Sequence, residues 1–156
     1  MRRKDREVTD KAKIQEVIDK CTCCRLGFND NGEVYIVPML FGYDKDGDDY
    51  TFYFHSAHEG RKLNIIKENP NVGFEMETGV EIREAKYACG FTAAFQSIVG
   101  NGVIELVEDP QEKIHGLERI MHQSSGRSDW GFTERMVTIV TVFKLKVTKM
   151  SCKENK

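Results

Sequence analysis

The densest run of reactive side chains in this 156-residue sequence is His55-Ser56-Ala57-His58-Glu59-Gly60-Arg61-Lys62. It follows directly on an aromatic stretch, Tyr50-Thr51-Phe52-Tyr53-Phe54. Ser56 and Glu59 have the S-x-x-E spacing of a capping box, so the expectation is a strand running straight into a helix that opens at Ser56. A helix N-terminus exposes unpaired N–H groups and roughly half a unit of positive charge, which attracts anions. Arginine grips a phosphate with two parallel hydrogen bonds and lysine adds a point charge, so the set suits a phosphomonoester. The same residues also fit a capped helix with a solvated basic turn. His55 stands beside the segment, and imidazole titrates near neutrality; it serves either as a proton donor or as a structural hydrogen-bonding group.

Three other groups invite chemistry. Cys21, Cys23 and Cys24 offer thiolates, but no second cysteine pair follows at ligand spacing, so small apolar residues at a helix-to-strand junction are expected and no metal site. His115 and His122 are seven apart on one helix face among polar residues, which predicts a solvated face. Trp130, in a glycine-containing loop, could stack on a planar ring or pack in a core or dimer contact.

The elements that must position these groups are mostly strands. Thr9 or Asp10 caps a helix over about 9–21, with Ile14, Val17, Ile18 and Cys21 on its apolar face. Leu26 to Phe41 reads as a hairpin around Asn29-Asp30-Asn31-Gly32, with Pro38 marking an edge, a bulge or a ligand-facing strand. Asp44 to Asp49 reads as a polar turn before the aromatic strand, and Asn69-Pro70 stops the helix after Lys62. Val72 to Met76 and Phe95 to Val107 read as strands, the second bent at Gly100 and Gly102, while 77–91 is left open. Asp109-Pro110-Gln111-Glu112 opens a second capped helix, and Met136 to Val147 reads as the last strand before a short disordered tail. Some six strands joined mainly by hairpins do not fit regular βα alternation. A closed antiparallel barrel with peripheral helices does, in one domain over 1–156 with the barrel at about 26–147.

Bulk properties narrow the function. The formal net charge is −2, from 23 basic and 25 acidic residues, which gives no general attraction for nucleic acid. No apolar run approaches the ~20 residues that span a bilayer, and the basic start has no apolar segment behind it. Five cysteines without an export signal predict reduced thiols and a cytoplasmic protein.

Two blocks carry a family resemblance. The first is Val34 to Lys62, with Val37-Pro38-Met39, Phe41-Gly42-Tyr43 and Tyr53-Phe54-His55-Ser56-Ala57-His58-Glu59-Gly60-Arg61-Lys62. The second is Phe95-Gln96-Ser97-Ile98-Val99-Gly100-Asn101-Gly102-Val103-Ile104 with Glu108-Asp109-Pro110. Together they resemble the nitroimidazole-resistance (Nim) branch of the pyridoxamine-phosphate-oxidase-like flavoproteins. The resemblance implies a mainly β (α+β) fold with peripheral helices, a six-stranded antiparallel split β-barrel of the FMN-binding type. It further implies a homodimer with flavin at the subunit interface. Val37, Pro38 and Met39 would lie along the ring; Phe54, His55, Ser56 and Ala57 would hold ring and ribityl chain; Arg61 and Lys62 would bind the phosphate. Gln96 and Ser97 would reach the flavin from the partner, with Gln96 standing where the usual pattern has arginine or another polar residue.

The function so implied is an FMN-dependent reductase of a small electron-poor acceptor such as a nitroimidazole, with FAD or haem as other cofactors of such barrels. No G-x-G-x-x-G nicotinamide fingerprint accompanies it. The alternatives are a flavin- or haem-binding storage or sensing module without turnover, and pyridoxamine-phosphate oxidation. The latter needs a second phosphate grip, for which only Arg83 with Lys86, or Arg119 with Arg127, can be nominated.

Overall fold

The computed structural model describes residues 3–156. A single sheet is wrapped by short helices: β1 (Glu7–Val8), α1 (Lys11–Lys20), β2 (Cys24–Asp30), β3 (Glu33–Met39), β4 (Gly42–Asp46), β5 (Asp49–Ser56), α2 (Arg61–Glu68), β6 (Asn71–Arg83), β7 (Thr92–Val107), α3 (Pro110–Ser125), α4 (Glu134–Thr138) and β8 (Thr141–Asn155). Every pairing is antiparallel. The order is β3-β2-β6-β7-β8-β5-β4, with β1 added on β8.

The sheet rolls on itself. Phe52 on β5 and Phe74 on β6 are separated by β7 and β8 in that order, yet their rings meet edge-to-face at 5.3 Å. Phe52 also meets Phe41 at 5.7 Å. Alternate residues of β2, β6, β7 and β8 point inward, and Leu26, Phe74, Ile98, Phe143 and Leu145 fill one core. The two edges, β3 and β4, are joined only by Leu40-Phe41, which leaves the barrel split there. Pro38 sits on the β3 edge, where its missing N–H costs no ladder bond.

Close approach demands glycine at the bend of β7. A Cβ on Gly100 would lie 2.5 Å from Phe74 and from the Lys149 carbonyl, and one on Gly102 would lie 2.5 Å from the Lys146 carbonyl. The β7–β8 register shifts between Asn101 and Gly102, the bulge that the two glycines predict. In the first hairpin Asn31 and Gly32 both have positive φ, 53° and 93°, which is the two-residue turn that suits twisted strands. At α3 the Asp109 side chain accepts from the Glu112 amide at 2.8 Å, with Pro110 in the first turn.

The structure corrects several expectations. Asp44 to Asp46 belong to β4, and only Gly47-Asp48 turns; an edge strand tolerates charged residues because one side faces water. The strand expected from Met136 starts at Thr141, since Thr133 caps the short helix α4 through the Met136 amide. Periodicity alone does not separate a short apolar helix from a strand. The tail expected to be disordered extends β8 to Asn155. It is held by β7 on one side and β1 on the other, with Cys152 buried. The open stretch after Met76 continues β6 to Arg83, with a bulge between Thr78 and Glu81.

Candidate functional site

Residues 55–62 lie where β5 leaves the sheet. Ser56 is the last residue of β5, paired with Thr141, and its hydroxyl donates to the Ala57 carbonyl at 2.9 Å. The expected capping box does not form: α2 begins five residues later at Arg61, behind Gly60 with φ 146° and no side-chain cap. Strand pairing keeps Ser56 extended, so the chain needs Ala57 to Gly60 to change direction before a helix can start. The anion-attracting helix end therefore lies at Arg61 and Lys62 themselves.

Helix α2 plugs one end of the barrel with Leu63, Ile65 and Ile66, all buried in the main core. That anchoring fixes the two cations. Arg61 is exposed and committed: its Nε donates to Asp30 and its Nη2 to Glu33, each at 2.7 Å, and its guanidinium lies 4.5 Å from the Tyr35 ring centroid. The hydrogen bonds to Glu33 and Asp30 push the Arg61 pKa up. Lys62 is half-buried and has no ion-pair partner among the described residues. Beside Arg61, and not lined by Lys62, a surface cavity of about 540 Å³ is bounded by His58, Glu59, Leu63, Lys67, Leu106 and Thr141. His58 Nδ1 is 3.2 Å from the Thr141 hydroxyl.

The other nominated residues divide by position. His55 is exposed on β5 opposite Val142, with no side-chain hydrogen bond among the described residues. Phe54 is fully buried and stacked on Phe143 at 5.5 Å, so only its backbone can meet a ligand. Val37 and Met39 turn inward against the core while Pro38 faces out. Gln96 and Ser97 lie on β7, with β8 between them and β5, so one chain does not bring them to Ser56. Gln96 instead donates to Glu154 at 2.5 Å and holds that carboxyl below its ordinary range. Trp130 is half-buried, its N–H bonded to Ser125 and its ring covered by Arg127 at 4.6 Å, away from this segment in sequence and contacts.

Cys21, Cys24 and Cys152 are buried; burial pushes Cys21 up to about 12 and Cys152 to about 11, and raises Cys24 as well. Such thiols stay protonated near neutral pH. No group of three or more metal-ligating side chains is assembled among the described residues. His115 departs from the expected solvated face: its Nε2 lies 2.6 Å from Asp44 and its ring stands edge-on to Tyr53 at 5.5 Å. Arg119 pairs with Asp44 and Arg127 with Asp129, so these two cations serve separate acids. Asp30 and Glu33 had no signal in sequence as site residues; only the folded hairpin brings them to Arg61.

An antiparallel sheet rolled round an aromatic core, open between its two edge strands and closed at one end by α2, is a split β-barrel. A profile of the family described as pyridoxamine 5'-phosphate oxidase matches residues 10–154, and the chain belongs to that family. Among solved structures it is similar to a candidate 5-nitroimidazole antibiotic resistance protein from Bacteroides thetaiotaomicron, at 31% identity over 94% of this chain and 85% of that one, with a TM-score of 0.80. The same fold recurs in the flavocytochrome Anf3 from Azotobacter vinelandii, at 19% identity over 100% of this chain and 72% of the other, with a TM-score of 0.80. It recurs again in an FAD- and haem-binding protein from Mycobacterium smegmatis, at 13% identity over 97% and 74%, with a TM-score of 0.79. No curated protein sequence matches the chain. No helix among the described residues is long and apolar enough to cross a membrane.

Proposed function

We propose that this chain is a cytoplasmic FMN-dependent reductase, working as a homodimer, that passes electrons to a small electron-poor acceptor of the nitroimidazole class. The observation that carries the reading is the half-buried Lys62, without an ion-pair partner among the described residues, beside Arg61 at the start of α2, in a chain 31% identical to a candidate nitroimidazole resistance protein. A partly buried lysine that is not engaged in an internal ion pair is available to an external anion. The adjoining cavity of about 540 Å³ is of the size that small-molecule sites have.

FMN, when bound, supplies the electron transfer that no side chain performs. Lys62, Arg61 and the free amides of α2 hold its phosphate, and the Ser56-Ala57 backbone and Ser56 hydroxyl meet the ribityl chain. Pro38, exposed and lacking an N–H, offers a flat apolar edge to the ring. His55, without a side-chain hydrogen bond among the described residues, supplies a proton from its imidazole as the acceptor gains electrons. Reducing a nitro group to nitroso consumes two electrons and two protons and releases water; a reduced nicotinamide provides both electrons and one proton as hydride, and His55 provides the second proton.

A second copy is supported by the outer sheet face. Val34 and Ile36 on β3 are 71% and 61% exposed, and Val99 and Val103 are exposed on the same outer face, with Gly27, Gly73 and Asn101 between them. Gln96 and Ser97 of a partner would then complete the site. Pyridoxamine-phosphate oxidation would need a second phosphate grip; of the two nominated pairs, Arg119 bonds Asp44 and Arg127 bonds Asp129, so those two cations are not gathered on one anion.

The test is anaerobic reoxidation. Protein loaded with FMN and reduced with dithionite should regain its oxidised flavin absorbance when a nitroimidazole is added, with loss of the nitro-group band. Tight flavin binding without acceptor-dependent reoxidation would identify a storage or sensing module and overturn the reductase reading.

A further inference from the structure

The hairpin turn Asn31-Gly32 sets Asp30 and Glu33 directly opposite each other, as the last residue of β2 and the first of β3. Like charges placed this way destabilise a hairpin unless a cation lies between them. Arg61 is that cation, reached across 31 residues from Asp30 and 28 from Glu33. The contact uses Nε and Nη2, the edge of guanidinium that takes a phosphate bidentately. The Tyr35 ring packs against the guanidinium, 4.5 Å from its carbon to the ring centroid. Two carboxylates thus occupy the donors that an incoming phosphate needs.

Resting on the reading that Arg61 and Lys62 hold the flavin phosphate, we propose that Asp30 and Glu33 are resident counter-anions that the phosphate must displace, so that this acidic pair sets the preference of the site for phosphorylated flavin. Before binding, both carboxylates engage Arg61 and neither engages Lys62. A dianionic phosphate therefore meets Lys62 first and gains the Arg61 donors only when the acids swing away. The consequence is a weaker preference for FMN over riboflavin than two cations at a helix end would otherwise give.

The test compares FMN and riboflavin titrations, read by flavin fluorescence, in the unmodified protein, Asp30→Asn/Glu33→Gln and Arg61→Ala. Exposed ion pairs are each worth about 0.2–1 kcal/mol, so removing both competitors should tighten FMN about tenfold and leave riboflavin within about twofold. The ¹H–¹⁵N signal of Arg61 Nε should move on adding FMN and stay in place with riboflavin. Unchanged or weaker FMN binding by the acid variant, with FMN preference lost in Arg61→Ala, overturns displacement and leaves the phosphate grip standing. An unaltered FMN-to-riboflavin ratio in Arg61→Ala overturns the grip and this proposal with it. Glu33→Gln alone, at a side chain 69% exposed, guards against misfolding and should give part of the same gain.

Discussion

Gly42→Ala is expected to lower the unfolding free energy by about 3 kcal/mol, the upper range for overpacking a well-filled contact. A Cβ at this position would stand 2.1 Å from the Arg119 carbonyl carbon and 2.3 Å from the Ile120 nitrogen. Both are backbone atoms of α3, so no rotamer change relieves the clash; helix or strand must move. The same docking is repeated at Gly116, whose Cβ would meet the Tyr53 ring at 2.9 Å, and it is locked by Asp44 with His115 and Arg119. Urea unfolding followed by far-UV circular dichroism measures the loss. Gly131→Ala, with open space around it and no positive φ, is the control and should stay within about 0.5 kcal/mol. A Gly42→Ala protein as stable as that control would show that α3 is not held in this register.

The second large effect concerns ligand choice. Arg61→Ala/Lys62→Ala should weaken FMN about 100-fold while riboflavin changes little, because hydrogen bonds to charged groups contribute about 1.5–3 kcal/mol each and riboflavin lacks the phosphate. Lys62 should account for the larger share, since Arg61 gives up two internal ion pairs to bind. Isothermal titration with each ligand checks this, beside a thermal melt to confirm that the variant still folds. Equal losses for both flavins would show that the two cations shape the barrel end and do not read a phosphate.

How much of this was legible in the sequence depends on how local the cause was. The Asp109-Pro110 helix start and the Asn31-Gly32 turn are decided within four residues, and both appear as their spacing predicts. The bend at Gly100 and Gly102 was legible because only glycine fits where two strands and Phe74 converge. Ser56 misled for the opposite reason: its capping-box spacing is a local signal, and pairing with Thr141, 85 positions on in the chain's numbering, overrides it. The C-terminal residues look solvated one by one, yet β7 and β1 claim their backbone groups, which composition does not reveal. The site divides in the same way. Arg61 and Lys62 stood out by type and spacing, whereas Asp30, Glu33 and Tyr35 meet Arg61 only through long-range folding, and the Phe54 side chain is buried in the core.

The central claim, that this barrel holds a phosphorylated flavin, is tested most directly by the visible absorption spectrum of the protein after incubation with FMN and desalting, with mass analysis of the ligand it releases. The account predicts a yellow protein with two flavin bands and released FMN, close to one per chain. A protein that emerges colourless, or that retains only haem, would contradict it.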